Sequence, residues 1–152
     1  MSSTSEREGP TSQSGLSIVL PTFNEGGSIR QVITSLLHLG TDHPLEILIV
    51  DDDSRDGTPD LVRALARQDP RIRIIQRVGR SGLASAIKEG LIAALYSTAV
   101  VMDSDGQHEP TSVGEAVQLL DREGLDLVAG RTWAGSNGPD GWRGWSHRCV
   151  DR

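Results

Sequence analysis

A short loop with two carboxylates and one carboxamide contains the residues of this sequence best suited to chemistry. Asp103, Asp105 and Gln107 alternate along it, directly after the apolar run at residues 99–102. Oxygen donors of this kind bind hard cations such as Mg2+ or Mn2+, which usually keep open positions for the phosphates of a substrate. The alternative interpretation is that these acids only begin the next helix, where carboxylates are favoured. The loop by itself favours neither interpretation.

The composition limits what such a site binds. The 152-residue chain has a formal net charge of -6 and a pI near 5.1, which argues against bulk binding of nucleic acid. A phosphorylated ligand must then be held by a metal ion or by a few placed arginines. The single cysteine, Cys149, excludes an internal disulfide and a cysteine metal cluster. No segment approaches the ~20 apolar residues of a membrane span, and the first residues lack the pattern of a signal peptide.

Strands and helices are expected to alternate after a disordered, polar segment at residues 1–14. The strands are predicted at residues 16–20, 46–50, 71–76, 99–102 and 125–129. Apolar residues at helical spacing predict a helix between each pair of strands. This alternation is typical of an α/β fold, with a mainly parallel sheet covered by helices on both faces. Ligands of such sheets bind at the carboxyl ends of the strands, where the polar motifs of this sequence lie.

Three other nucleotide-binding or metal-binding patterns do not fit these loops. An EF-hand needs a glutamate at its twelfth position, which is Gly114 counting from Asp103 and Arg63 counting from Asp52. The turn after the first strand lacks the glycine fingerprint of dinucleotide-binding proteins. No phosphate-binding loop with Gly-Lys-Ser or Gly-Lys-Thr occurs. A nucleotidyltransferase is disfavoured as well, because its glycine- and lysine-rich first loop is missing.

Taken in order, the motifs resemble those of family 2 glycosyltransferases, in the branch of dolichyl-phosphate mannose synthase and other polyprenyl-phosphate glycosyltransferases. The matching stretches are Pro-Thr-Phe-Asn-Glu at 21–25, Val-Asp-Asp-Asp-Ser at 50–54 with Asp-Gly-Thr at 56–58, Gly82-Leu83 with Ala86 and Gly90, Met-Asp-Ser-Asp-Gly-Gln-His at 102–108 with Pro110, and Gly130-Arg131. Each match is weak alone, but five in the family's order are a specific signal. Ala84, where the branch commonly has glycine, is a minor departure. The resemblance implies a GT-A fold.

The resemblance also implies which residues hold the donor. The residues expected to bind the nucleotide-sugar are Pro21, Phe23, Glu25, Asp52, Asp103 and Ser104. The implied ligands of a Mg2+ or Mn2+ ion bridging the diphosphate are Asp103, Asp105 and Gln107. A structural alternative stands beside these roles, because a proline can end a strand, a phenylalanine can fill a core and acids can cap helices.

A second implied site is the one for the acceptor phosphate. The residues expected there are Arg131, Arg143 and Arg148, and the implied catalytic residues are Asp105 and Arg131. After Arg131 the spacing departs from the family's pattern, so Arg143 and Arg148 are the weaker assignments. The structural alternative for Arg131 is a solvated charge after a strand.

The implied activity is that of an inverting, metal-dependent hexosyltransferase. It would move a sugar from GDP-mannose or a UDP-hexose to a polyprenyl or dolichyl phosphate, as a cytoplasmic protein peripherally associated with the membrane surface. Residues 15–131 are expected to form the GT-A nucleotide-sugar-binding core, and residues 132–152 to begin an acceptor-side region that is incomplete. The alternative is a nucleotide-sugar-binding module that is inactive on its own, with a separate membrane subunit as a further partner. Binding of nucleic acid is not expected.

Overall fold

The structure is a computed structural model that describes residues 13–106 and 110–124. Its elements in chain order are β1 (Gln13–Thr22), α1 (Ile29–Leu37), β2 (Leu45–Asp51), α2 (Thr58–Ala66), β3 (Ile72–Gln76), α3 (Leu83–Ala93), β4 (Tyr96–Val101) and α4 (Pro110–Glu123). The chain divides into two compact units, residues 1–108 and 109–152. In the second unit α4 buries Val113, Ala116 and Val117, which recur on one helical face.

The four strands form one parallel sheet in the order β3-β2-β1-β4. β1 is central and pairs with β2 from Leu16–Leu45 to Thr22–Asp51. The chain moves outward from β1 to β3 and then returns to the other side of β1 for β4. This reversal places a topological switch point between β1 and β4, where the connecting loops diverge and leave a crevice for a ligand. The mainly parallel α/β sheet expected from the sequence is therefore confirmed.

β1 is longer than the sequence predicts at both ends. It begins at Gln13, so residues 13 and 14 are in a strand rather than disordered. It also continues past Pro21 to Thr22, although proline has no N–H for the sheet. Backbone groups alternate along a strand, and the Pro21 carbonyl oxygen accepts a hydrogen bond from Ser104 of the β4 side. Pairing with β4 ends at Val19, so the missing N–H breaks no hydrogen bond there.

The two central strands, β1 and β2, are buried on both faces. On one face Val19, Leu48 and Val50 form a buried cluster with Ala86 of α3. The residues between them point to the opposite face and are also fully buried, namely Ile18, Leu20, Ile47 and Ile49. This double burial explains why the central strands are continuous apolar runs without alternating polar residues. The fifth strand predicted at residues 125–129 lies outside the described residues.

α3 approaches the sheet closely because it has glycine at position 90. A Cβ at Gly90 would lie 2.4 Å from Val19 Cγ1 and 3.0 Å from Val50 Cγ2. We expect Gly90→Ala to lower the free energy of unfolding by about 1–2 kcal/mol in urea titrations, because overpacking outweighs the gain in helix propensity. Gly114→Ala in α4 is the control, since a Cβ there meets nothing within 4 Å. Stabilisation of both variants would contradict this expectation.

A buried carboxylate lies at the amino end of β2, away from the polar loops. Glu46 is only 2% exposed. It accepts hydrogen bonds from the Ser17 hydroxyl at 2.6 Å and from the Leu95 N–H at 2.9 Å, and it forms an ion pair with Arg73. These partners connect β1, β2 and β3 with the chain between α3 and β4. They satisfy a charge that burial would otherwise strongly disfavour.

Candidate functional site

The loops after β1 and β2 are joined by three hydrogen bonds. The Asn24 N–H donates to Ser54 Oγ at 2.7 Å, and the Arg55 N–H donates to Asn24 Oδ1 at 3.0 Å. The Gly26 N–H donates to Asp56 Oδ2 at 2.8 Å. The two loops therefore continue the pairing of β1 and β2 beyond the carboxyl edge of the sheet. These hydrogen bonds hold together two of the motifs that the sequence places at this edge.

Asp56 is the ionisable group of this junction. The Thr58 hydroxyl donates to Asp56 Oδ1 at 2.6 Å, and this bond, together with that from the Gly26 N–H, lowers the pKa of Asp56 below its ordinary 3.8. A lowered pKa means that the carboxylate stabilises the fold above pH 3.8 and that this stability is lost as the pH falls through the folded-state pKa.

We therefore expect Asp56→Asn to be less stable than the wild type at neutral pH and equally stable in strong acid. Urea unfolding across the acid range measures the difference. Asp60→Asn, whose carboxyl side chain is 87% exposed on α2, is the control for simple loss of a charge. A difference between Asp56→Asn and the wild type that does not change with pH would contradict the role given to this carboxylate.

The loops after β1 and β4 are joined at the switch point. The Ser28 hydroxyl lies 2.8 Å from Glu25 Oε2 and 3.0 Å from the Ser104 carbonyl oxygen. The Ser104 hydroxyl in turn donates to the Pro21 carbonyl oxygen at 3.0 Å, and Ser104 is 3% exposed. Pro21, Glu25 and Ser104, three of the residues predicted to bind the donor, are thus brought together. In this structure the Ser104 hydroxyl holds the loop after β4 against the end of β1.

Asp52 is held from two sides. Its Oδ1 is paired with Arg77, and its Oδ2 accepts a hydrogen bond from the Gly82 N–H at 2.7 Å. Its own N–H donates to the Thr22 carbonyl oxygen at 2.9 Å, which fixes the backbone as well. The predicted donor-binding carboxylate is therefore a positioned group, 8% exposed, rather than a solvated one.

A cleft of about 350 Å³ opens between the loops after β1, β2 and β3. It is lined by Phe23, Asn24, Asp52, Asp53, Arg55, Gly79, Arg80 and Ser81. Phe23 is 59% exposed, so its ring is a wall of the cleft and not part of the core. An open aromatic face, a fixed carboxylate and two arginines suit a planar, polar and anionic ligand, and the volume is typical of small-molecule sites.

Backbone strain is concentrated at the same cleft. Asn24 and Asp53 have φ angles of 56° and 61°, and they are the non-glycine residues with positive φ in the described part of the chain. Such conformations cost about 1–3 kcal/mol each and persist where the surroundings determine them. Both residues line the cleft, so the strain coincides with the candidate site.

The two aspartates after β4 lie on an exposed loop. Asp103 and Asp105 are both exposed, and each has a partner within the chain. Neither aspartate lies within α4, which begins at Pro110. No cluster of three or more histidine, cysteine or acidic side chains is arranged to hold a metal within residues 13–106 and 110–124. Two exposed carboxylates fit an open metal site that a diphosphate completes.

Several predicted site residues lie outside the part of the chain that the structure describes. Gln107, the third predicted metal ligand, lies outside the described residues, as do the predicted acceptor residues Arg131, Arg143 and Arg148. Their roles, and the domain boundary at residue 131, stay predictions. The described residues that the structure brings to one edge of the sheet are Pro21, Phe23, Glu25, Asp52, Asp103, Ser104 and Asp105.

Arg77 belongs to the site although no sequence motif singled it out. This side chain is 3% exposed and pairs with Asp52, which lies 25 positions earlier in the chain. It also lies 3.2 Å from Glu89 Oε2, at an angle that leaves its Nε without a hydrogen bond. Its signal in the sequence is its position directly after the third predicted strand. The neighbouring second predicted strand is followed by three aspartates.

Solved structures of two enzymes have similar folds. A mannosyltransferase from Pyrobaculum calidifontis, solved in complex with GDP-Man and Mn2+, matches with a TM-score of 0.60 and 29% identity, over 73% of this chain and 33% of that chain. Glucosyl-3-phosphoglycerate synthase from Mycobacterium tuberculosis was solved with Mn2+, UDP and glucosyl-3-phosphoglycerate. It matches with a TM-score of 0.56 and 30% identity, over 70% of this chain and 39% of that chain. The GT-A-like fold expected from the sequence is confirmed.

Two curated relatives are similar in sequence. A polyprenol monophosphomannose synthase from Mycolicibacterium smegmatis is 34% identical, over 74% of this chain and 43% of its own length. A dolichol-phosphate mannosyltransferase from Mycosarcoma maydis is 31% identical, over 83% of this chain and 45% of its own length. This chain therefore spans less than half the length of these relatives.

The family itself follows from a match over most of the chain. The family model described as Glycosyl transferase family 2 matches residues 17–148, which include every element from β2 to α4 and most of β1. The motifs that suggested this family from the sequence lie within the match, and those at residues 21–25 and 50–58 contribute residues to the cleft. The chain belongs to glycosyl transferase family 2.

Proposed function

We propose that this chain binds the donor of a hexosyltransferase that moves a sugar from a nucleotide-sugar to a polyprenyl or dolichyl phosphate. The observation that carries the proposal is the cleft in which exposed Phe23 and positioned Asp52 lie together, at the same edge of the sheet as Asp103 and Asp105. The family supports sugar transfer, and the names of the two curated relatives support mannose as the sugar and a polyprenol or dolichol phosphate as the acceptor.

Each part of the donor has a matching group in the site. The ring of Phe23 offers a stacking face for the base, and the carboxylate of Asp52 accepts hydrogen bonds from base or ribose. Pro21 and Glu25 shape the loop beside them. Asp103 and Asp105, with Gln107, would hold Mg2+ or Mn2+. When bound there, such an ion would supply positive charge to neutralise the departing nucleoside diphosphate.

GDP-mannose and UDP-hexoses are the two candidate donors. The solved neighbours contain GDP-Man in one case and UDP in the other, each with Mn2+, so both bases are compatible with this fold. An affinity comparison between GDP-mannose and UDP-glucose on this chain decides between them, since base selection depends on contacts inside the cleft.

The acceptor is proposed to be bound by arginine rather than activated by a base. A lipid phosphate is already an anion at neutral pH, so it needs to be positioned for in-line attack, which inverts the anomeric centre. Arg131 is the residue proposed for this task, and Arg143 and Arg148 are the weaker candidates. Such an acceptor supports a location at a membrane surface, which we propose to be the cytoplasmic one. None of the described helices is long and apolar enough to cross one.

A transfer assay tests the proposal. The 152-residue chain is incubated with radiolabelled GDP-mannose or UDP-glucose, Mn2+ and a polyprenyl phosphate, and label in the lipid fraction is counted. Label that depends on the lipid phosphate supports the transferase. Nucleotide-sugar binding without transfer supports the alternative of a binding module that needs another chain, and the fact that the chain spans under half of its relatives' length favours testing both. Absence of both binding and transfer contradicts the proposal.

A further inference from the structure

Arg77 is a buried residue that contacts the lining of the cleft. It follows β3 directly, its side chain is 3% exposed, and its backbone N–H donates to the Asp51 carbonyl oxygen at 2.8 Å. The guanidinium contacts Asp52, the Ser85 hydroxyl and the Gly82 carbonyl oxygen. A buried arginine with this many partners has one fixed orientation, because its planar fork must satisfy several acceptors at once.

Both carboxylate oxygens of Asp52 are therefore held in a fixed orientation by partners within the chain. Arg77 pairs with Oδ1, and the Gly82 N–H donates a hydrogen bond to Oδ2. Gly82 itself is tied to Arg77 through its carbonyl oxygen at 3.3 Å. The carboxylate therefore cannot turn without disturbing the arginine, and the lone pairs that remain keep a constant direction at the cleft, which Asp52 lines.

The same arginine links two residues that line the cleft, Asp52 and Arg80. Glu89 Oε2 lies 3.2 Å from Arg77 Nε, and Glu89 Oε1 lies 3.1 Å from Arg80 Nη2. Arg80 lines the cleft. Four side chains of alternating charge thus run from Asp52 through Arg77 and Glu89 to Arg80. Arg77 is not a lining residue itself, but it contacts lining residue Asp52 directly and lining residue Arg80 through Glu89.

We propose that Arg77 is a positioning residue that makes the cleft selective among nucleobases by fixing the carboxylate of Asp52. The proposal rests on the function proposed above. An ionised carboxylate only accepts hydrogen bonds. At the ring nitrogen of the pairing edge, guanine and uracil present an N–H, whereas adenine and cytosine present a lone pair and carry their donor on the neighbouring amino group, which a carboxylate reaches only by turning. A carboxylate in a fixed orientation therefore favours GDP and UDP over ADP and CDP, and one that can rotate discriminates less.

The test measures the dissociation constants of GDP, UDP, ADP and CDP for the full 152-residue chain in Mn2+. The variants are Arg77→Lys, Asp52→Asn and the double variant. Lysine keeps the positive charge but lacks the fork, so we expect the preference for GDP or UDP over ADP and CDP to fall by about tenfold in Arg77→Lys. In the Asp52→Asn background the same substitution should change that preference by less than about twofold, because residues that act through one another are not additive.

A matched control separates positioning from loss of stability. Arg73→Lys also alters an arginine that pairs with a buried carboxylate, Glu46, at the amino end of β2. It should leave the nucleotide preference unchanged. Equal weakening of all four nucleotides by Arg77→Lys, or an equal loss of preference in the Asp52→Asn background, would overturn the proposal.

The remaining outcomes also test whether Arg77 has a positioning role. If Arg77→Lys does not fold by thermal unfolding, Arg77→Gln replaces it in the same comparison. If neither folds, the arginine serves the fold and the positioning role is rejected. Failure of the wild type to bind any of the four nucleotides rejects the proposed function itself, whereas wild-type binding with unchanged selectivity in the Arg77 variants rejects only the positioning role.

Discussion

Arg73→Gln is expected to lower the free energy of unfolding by about 2–4 kcal/mol, because it leaves the buried carboxylate of Glu46 without its cation. The Glu46 side chain is 2% exposed, whereas that of Arg73 is 39% exposed, so the desolvation cost falls on the acid. The Ser17 hydroxyl and the Leu95 N–H continue to donate to Glu46, which keeps the loss below that of a fully isolated charge. Denaturation in urea or guanidinium chloride measures the change.

Arg71→Gln is the control for this prediction. Arg71 pairs with Asp69 at 2.7 Å, but the arginine is 44% exposed and the pair lies at the surface. Exposed pairs contribute about 0–1 kcal/mol, so this variant should remain close to the wild type. If Arg71→Gln and Arg73→Gln destabilise the protein equally, burial of Glu46 is not the source of the effect.

Asp105→Asn is expected to weaken Mn2+-dependent nucleotide binding by roughly 100-fold, because a metal–carboxylate contact near a diphosphate is worth several kcal/mol. The variant keeps the size of the side chain, removes its charge and replaces one acceptor oxygen with an amide donor. Binding of GDP and UDP is measured by calorimetry in the presence of Mn2+ and again in EDTA. The expected pattern is a large difference between wild type and variant in Mn2+ and a small one in EDTA.

Two further variants define that result. Asp60→Asn removes one negative charge from the exposed surface of α2 and should leave binding unchanged. Asp52→Ala should weaken nucleotide binding while the weak binding of Mn2+ alone remains, since Asp52 is assigned to the nucleotide and not to the ion. Equal nucleotide affinity of Asp105→Asn and the wild type in Mn2+ would remove Asp105 from the metal site.

The strands and helices were predictable because local patterns encode them. The apolar run predicted at residues 46–50 is β2, which the structure extends by one residue at each end. Burial on both faces of a parallel sheet produces such a run whatever the rest of the fold does. The extension of β1 through Pro21 was not predictable, because it depends on where the pairing with β4 stops, and no local pattern contains that information.

The site was predictable in its location but not in its internal contacts. The polar loops gather at the carboxyl edge because the strands are parallel, which the alternation of elements already indicates. The pairing of Asp52 with Arg77 and the bond from Ser104 to Pro21 join residues 25 and 83 positions apart. Such partners depend on the order of the strands and the path of the loops. The exposure of Phe23 likewise follows from tertiary structure, since phenylalanine by itself favours a core.

The most direct test of the central claim is a calorimetric titration of the 152-residue chain with GDP-mannose and with UDP-glucose, each in Mn2+ and in EDTA. The cleft beside Phe23 and Asp52, with Asp103 and Asp105 at the same edge of the sheet, predicts saturable binding of at least one donor in Mn2+. It also predicts that EDTA removes most of that binding. Absence of binding by both donors in Mn2+, or equal affinity in EDTA, would contradict the claim that this edge is a metal-dependent nucleotide-sugar site.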